Sequence, residues 1–374
     1  MQWVAFASLG DVRAAWQELA ERASEPNIFY EPTFAFAAAD AFGRDAGAIL
    51  VWSRHDRSRL IGFFPVRNAV RRFGLASSTL RGWTHPYAPL GVPLVDREEA
   101  ADAIAAWLDF IAGDPNLPRL ALLSYVPTRG PFAEALQAAL AQRGGRCRSF
   151  GRHARALLAP QEGRADYLQT AVSARKRKEL TRQRRRLNEH GFLAFDTATT
   201  PDDILHALDA FMRLEQGGWK GAAGTAAASN LAVRRFMQRA LAGLAARAQA
   251  RIVTMRSGER AVAVGILLRS GANAWFWKVA YDETVARASP GVQLALELTR
   301  TLAADASLAH IDSCATQDHP MIDHLWRERI ELADLLIAPD ARANRAFALA
   351  VPLERARRRI IDAAKWARIR LGRR

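Results

Sequence analysis

Residues Phe276-Trp277-Lys278-Val279-Ala280-Tyr281-Asp282-Glu283, and after a three-residue gap Arg287-Ala288-Ser289-Pro290-Gly291-Val292, spell a strand, a loop and a helix start. Aromatic and β-branched residues favour the extended chain. Ser followed by Pro-Gly then marks a helix N-terminus, because Pro at the first helical position gives up an N–H that would be unbonded anyway. A helix start offers free N–H groups and the positive end of the dipole, which together cradle a pyrophosphate. The same spacing also suits an ordinary strand-to-helix connection.

Around this segment the elements fall into order. Ala250–Met255 and Ala261–Arg269 read as a hairpin across Ser257-Gly258, with a further strand over Ala274–Ala280. A helix over Val292–Ala303, a strand over Ala309–Ser313 and a helix over Met321–Arg327 follow. Upstream, one long basic helix is expected over Tyr167–Glu189, closed by Gly191, then helices over Pro201–Glu215 and Asn230–Ala246. The first half repeats this order. It has helical patterns over 11–23 and 34–42, a hairpin from Gly47–Trp52 and Leu60–Val66, and a Pro-rich aromatic loop over 83–95. A helix over Glu98–Ile111, a strand over Arg119–Ser124 and a helix over Pro131–Arg143 complete it. The repeat is one of element order, not of residues. It predicts an α/β protein: two related domains, 1–160 and 161–340, each a mixed central sheet with flanking helices, joined near 150–166. Residues 341–374 read as a basic tail, helical from about Pro352.

The 374 residues are half hydrophobic and 24% charged, as in a globular protein. The two cysteines, Cys147 and Cys314, lie far apart and outside any metal-ligand spacing, so neither a disulfide framework nor a metal site is expected. Cys314 reads as a small core residue in a buried strand. The opening Met1-Gln2-Trp3-Val4-Ala5-Phe6 lacks a basic n-region, and the apolar runs are short for a bilayer. A cytoplasmic chain is expected, with any membrane contact peripheral and on the inner face. The net charge of +15 is concentrated. Residues 175–186 carry eight basic side chains against one acid, and 341–374 carry eleven against two, so the rest is close to neutral. Such patches point to anionic partners: a phosphorylated ligand, an anionic membrane surface or nucleic acid. Nucleic acid is disfavoured because no recognition signature or stacking pattern accompanies them.

Gly218-Trp219-Lys220-Gly221, Lys278-Val-Ala-Tyr281-Asp282-Glu283, Ser289-Pro290-Gly291 and a late Asp312 stand in an order that resembles the GNAT-type acyltransferases named for cellulose-biosynthesis clusters. That family is similar in turn to Fem-type peptidyltransferases and to bacterial ceramide synthases. The loop His85-Pro86-Tyr87-Ala88-Pro89-Leu90-Gly91 and the basic segment Ser173–Gly191 fit the same pattern, and the resemblance covers about residues 25–340. It implies tandem GNAT-like halves, the second binding acyl-CoA as co-substrate with no permanent cofactor. It further implies acyl transfer from the thioester to an amine, on a lipid such as a sphingoid base or on an amino sugar of an exopolysaccharide.

Such transfer needs an amine freed of its proton, donors for the developing oxyanion and a proton for the departing thiolate. Arg287, Ser289, Gly291 and Val292 are the candidate CoA-phosphate cradle. Tyr281 is the candidate proton donor to the thiolate. Asp312 and His319 are candidate relays from the amine, and each reads equally as a turn carboxylate and a loop histidine. Glu215 is a further acid/base candidate. Lys278 is a charge among aromatics in mid-strand, so an acidic partner, Asp282 or Asp312, or a substrate contact is expected. Trp219 and Lys220 read as a lid, a wall or a hinge. His85, Tyr87 and Asp282 complete the acceptor-side candidates. A non-catalytic nucleotide-binding or membrane-binding regulator is the reading from another class, and affinity for acyl-CoA separates the two.

Overall fold

The computed structural model describes residues 1–69, 79–159, 166–189 and 191–371. The middle of the expected junction, 160–165, lies outside the described residues, as does the end of the basic tail. The chain divides into two compact units. One comprises Met1–Tyr30, Asp45–Arg152 and Glu331–Arg374, and the other Glu31–Arg44 and His153–Ile330.

The first unit is built on strands ordered Gln2–Ala5, Ala46–Trp52, Leu60–Ala69, Thr79–Gly82, Ala121–Pro127 and Glu328–Ala338. All neighbours are antiparallel except Thr79–Gly82 and Ala121–Pro127, which run parallel. The short strand Leu94–Val95 adds to Leu60–Ala69. Side chains alternate across a strand, so the adjacent Phe63 and Phe64 face opposite sides. Phe63 stacks on Trp16 of the helix Arg13–Arg22 with centroids 4.1 Å apart, and Phe64 on Trp107 of the helix Ala100–Gly113 at 4.7 Å. The four rings are all fully buried. Each is worth about 1.5–3 kcal/mol of apolar burial, which fixes a helix on either face. The start of the C-terminal helix Asn344–Leu371 also packs here, through Phe347 and Ala350 against Leu122 and Leu336.

The second unit repeats the order. Leu193–Ala198, Ala250–Ser257, Arg260–Ser270 and Asn273–Tyr281 are successively antiparallel, and His310–Asp312 runs parallel to Asn273–Tyr281. Leu157 and Leu158, at the end of the strand Arg146–Leu158, close the sheet antiparallel to His310–Asp312. The helix Pro290–Ala304 packs one face, where Leu294 and Leu298 press against Gly265. On the other face Trp277 meets Phe34 of the helix Pro32–Phe42 and Phe236 of the helix Leu231–Ala245 edge-on, at 5.7 and 6.2 Å. The expected α/β class, with mixed central sheets and flanking helices, holds.

Several elements differ from expectation. The basic helix is two helices, Tyr167–Ala171 and Ala174–Asn188. Ser173 breaks it, its hydroxyl accepting from Lys176 N–H at 3.3 Å as an N-cap. Residues 321–325 are turns and 326–327 are irregular, so no helix forms here. The strands Gln2–Ala5, Thr79–Gly82, Arg146–Leu158, Leu193–Ala198 and Glu328–Ala338 are additional. The last helix starts at Asn344 and holds Pro352 inside it. Cys314 follows the strand rather than lying in it, and has a left-handed φ of 52°.

Candidate active site

The strands Asn273–Tyr281 and His310–Asp312 pair only at Asn273–His310, Ala274–Ile311 and Trp275–Asp312. Beyond that they separate. Asn273–Tyr281 also shifts register against Arg260–Ser270 beside Trp277: Phe276 opposes Leu267 and Lys278 opposes Ile266, so Trp277 is the extra residue. A bulge of this kind bends the strand and redirects the side chains after it. The result is a wedge whose wall is Lys278–Tyr281.

The helix Pro290–Ala304 begins at this wedge. A Cβ on Gly291 would stand 3.1 Å from Cδ1 of Tyr281 and 3.4 Å from Sδ of Met321, so a side chain here would push the Tyr281 ring aside by a few tenths of an ångström. Ser289 precedes it with φ 51° and ψ 54°, a left-handed conformation that costs a non-glycine residue energy and turns the chain sharply into the helix. Its carbonyl accepts from Val292 and Gln293 N–H. Arg287 is exposed, Ser289 and Val292 are half-buried and Gly291 is buried. The structure thus brings the four cradle candidates and Tyr281 together at one helix N-terminus.

Behind Tyr281 a cavity of about 40 Å³ is lined by Glu215, Trp219, Lys220 and Glu283, among others. Glu215 is buried and its oxygens accept from Lys220 Nζ at 2.6 Å and Ala227 N–H at 2.8 Å. Glu283 accepts from Trp219 N–H at 2.9 Å. Lys220 Nζ lies 5.9 Å from the ring of Trp219, which is 62% exposed. Lys278 is half-buried, with Nζ 6.0 Å from the Trp277 ring. Burial, then the charge of Lys220, pushes Lys278 down to about 8, with Cys314 and Glu215 opposing.

The two carboxylates expected beside Lys278 pair with arginines. Asp312 is buried against Arg155, and its other oxygen accepts from Cys314 N–H at 2.9 Å. Asp282 is paired with Arg260 and accepts from both Thr284 N–H and its hydroxyl, capping the turn Glu283–Ala288. His319 is half-buried, its Nδ1 accepting from Met321 N–H at 3.3 Å. Burial holds it below the usual histidine range. Burial also pushes the Cys314 thiol far up, so it is no ready nucleophile. His85 and Tyr87 lie in the first unit, where His85 Nδ1 accepts from Tyr87 N–H at 3.3 Å and the His85 ring lies 5.1 Å from Trp83. Sequence reasoning missed Arg155. The signal was an arginine beside the apolar run Ala156-Leu157-Leu158, a charge that burial obliges to find an acid.

Residues 174–320 match the acetyltransferase (GNAT) domain family. This segment spans the wedge, the cradle and the Glu215–Lys220 pair, and the match over it supports an N-acyltransferase. GNAT domains take acyl-CoA as co-substrate and carry no permanent cofactor. Three solved structures share the fold over most of the chain. FemX is 8% identical, covers 87% of this chain and 95% of its own, and has a TM-score of 0.57. A conserved protein of unknown function from Bacteroides thetaiotaomicron is 11% identical, with 90% and 99% covered and a TM-score of 0.56. The C-terminal domain of a protein assigned as a lysylphosphatidylglycerol synthetase, from Agrobacterium fabrum, is 13% identical, with 92% and 95% covered and a TM-score of 0.52. No curated protein sequence matches the chain. Among the described residues, no helix is long and apolar enough to cross a membrane.

Proposed function

We propose that the chain moves an acyl group from acyl-CoA to the amine of an envelope lipid of the sphingoid-base type. One observation carries the reading: within the matched segment, two parallel strands part beside a helix N-terminus that glycine leaves open. The pyrophosphate of CoA lies on the Arg287–Val292 turn. The thioester carbonyl enters the wedge, where backbone N–H groups freed by the lost pairing stabilise the oxyanion. Tyr281 protonates the departing thiolate. His319 is held neutral near pH 7 by burial and receives the amine proton. Lys278, poised near 8, tunes the charge of the wedge.

Asp282 and Asp312 act by holding the ends of the two strands. Trp219 and Lys220 form the acceptor-side wall, with His85 and Tyr87 as the acceptor candidates of the first unit. The 161–340 half binds the donor. The lipid acceptor draws support from the two basic segments, and from a similar structure whose assigned product, lysylphosphatidylglycerol, is an aminoacylated lipid.

Thermal-shift titration with CoA, acetyl-CoA and palmitoyl-CoA tests the reading. A ligand at about 100 times its Kd stabilises the fold by about 2.7 kcal/mol. A palmitoyl-CoA shift well beyond that of acetyl-CoA and of free palmitate is expected, followed by N-acylation of a sphingoid base. Equal shifts move the acceptor to an amino sugar. No shift with any of the three removes the donor site and leaves a non-catalytic regulator.

A further inference from the structure

The C-terminal helix Asn344–Leu371 has two faces. One is docked on the first unit: Phe347 and Ala350 are buried in it, and Glu354 accepts from Arg358 at 2.8 Å. Arg358 also pairs with Asp334 and lies over the Phe150 ring at 5.4 Å. The opposite face carries Leu349, Leu353, Ala356, Ile360, Ala363 and Ala367, all exposed. At 100° per residue these six lie within about 40° of one line. Leu349 and Ile360 are 71% and 69% exposed, values far from core packing. Arg357 and Arg359 flank the line on either side, and the helix has only two acids, one of them the buried Glu354.

We propose that this seam is an interfacial element that lies on an anionic lipid bilayer. The 4-3 spacing alone also suits pairing with a second copy. Charge decides between them. Two such helices face to face would set arginine against arginine, with Asp362 as the only exposed acid to offset it. An anionic surface instead complements the flanks while its acyl region takes the apolar line. The second unit supplies an independent observation. On the helix Ala174–Asn188, Leu180 and Leu187 are buried, and Arg175, Lys178, Arg182, Arg185 and Arg186 are exposed within about 100° of the opposite face. These five cations point away from the fold and so also away from the core that includes Ala288 and Leu294. They are a second surface for anionic head groups.

The inference rests on the reading that the acceptor is a membrane lipid, but its readout is lipid binding, which needs no acyl transfer. The full chain and a Leu349→Glu/Leu353→Glu/Ile360→Glu variant are floated with vesicles of phosphatidylcholine alone and mixed with phosphatidylglycerol. The native chain is expected to float with the mixed vesicles, more weakly as salt rises, and not with phosphatidylcholine alone. The variant is expected to lose at least about tenfold in affinity, since each apolar side chain contributes by immersion. An unchanged acyl-CoA thermal shift shows that it is folded. Equal flotation of the two proteins overturns the proposal, as does a native chain that stays in solution. A native dimer in sedimentation that the variant abolishes, without vesicle binding, assigns the seam to a second copy. Flotation that persists in a chain with no acyl-CoA shift refutes the donor site and leaves this surface standing.

Discussion

Arg155 and Asp312 form an ion pair whose side chains are only 2% and 7% exposed, at the end of the strand that borders the wedge. Asp312 spends its second oxygen on the turn at Cys314. Desolvating two charges is costly, and the geometry must offset it.

Removing one partner strands the other charge. Arg155→Met is expected to lower stability by about 3–5 kcal/mol in urea unfolding. The double change Arg155→Met/Asp312→Leu should recover much of that loss. If Asp312 relays protons instead, Asp312→Asn abolishes turnover while the unfolding midpoint stays put.

Gly291→Ala places a methyl against the Tyr281 ring and Met321. The helix itself tolerates alanine, so stability should stay within about 1 kcal/mol. Acyl-CoA binding by calorimetry is expected to weaken about tenfold, which corresponds to about 1.4 kcal/mol. Unaltered affinity would place the phosphates elsewhere.

Lys278 is held near 8 against an ordinary 10.5. Between those values the unfolded chain binds the extra proton, so stability rises with pH across the window, and the full cost is present below about pH 8. Lys278→Met should therefore raise Tm below about pH 8, with the gain fading toward pH 10.5. A gain independent of pH would mean that packing, not charge, is responsible.

In the first unit, burial raises the Glu25 carboxyl to about 7, with Glu134 adding and the Phe132 N–H opposing. That N–H reaches one oxygen at 3.4 Å, and the other oxygen is buried with no hydrogen-bond partner among the described residues. Here the native state holds the extra proton, so stability falls as pH rises from about 4.5 to about 7 and the cost is full above that. Glu25→Gln should raise Tm above about pH 7 and leave it unchanged below about pH 4.5.

The wedge and its helix were legible because aromatic strand residues and Ser-Pro-Gly are local signals, and the helix Pro131–Arg143 appeared with both of its expected ends. The break at Ser173 was hidden because one capping hydroxyl outweighed a helical run of charges. The strand Glu328–Ala338 was missed because its alternation is blurred by charges that pair across the fold, Asp334 with Arg358 among them. Partnerships such as Glu215 with Lys220 sit five residues apart and were still not read as a pair. Arg155 with Asp312 lies 157 residues apart, beyond any periodic pattern.

The sheet of the N-terminal residues takes Glu328–Ala338 from beyond the sequence of the second unit, whereas Leu157–Leu158 lie just ahead of the residues 193–312 whose sheet they join. On the ribosome this imposes an order. The edge Ala121–Pro127 is made early, but its partner follows about 200 residues later, a delay of about 10–40 s at ordinary elongation rates. The nascent first unit waits through that interval with an open strand edge, so slow translation or a truncated message yields a sticky fragment rather than a smaller enzyme.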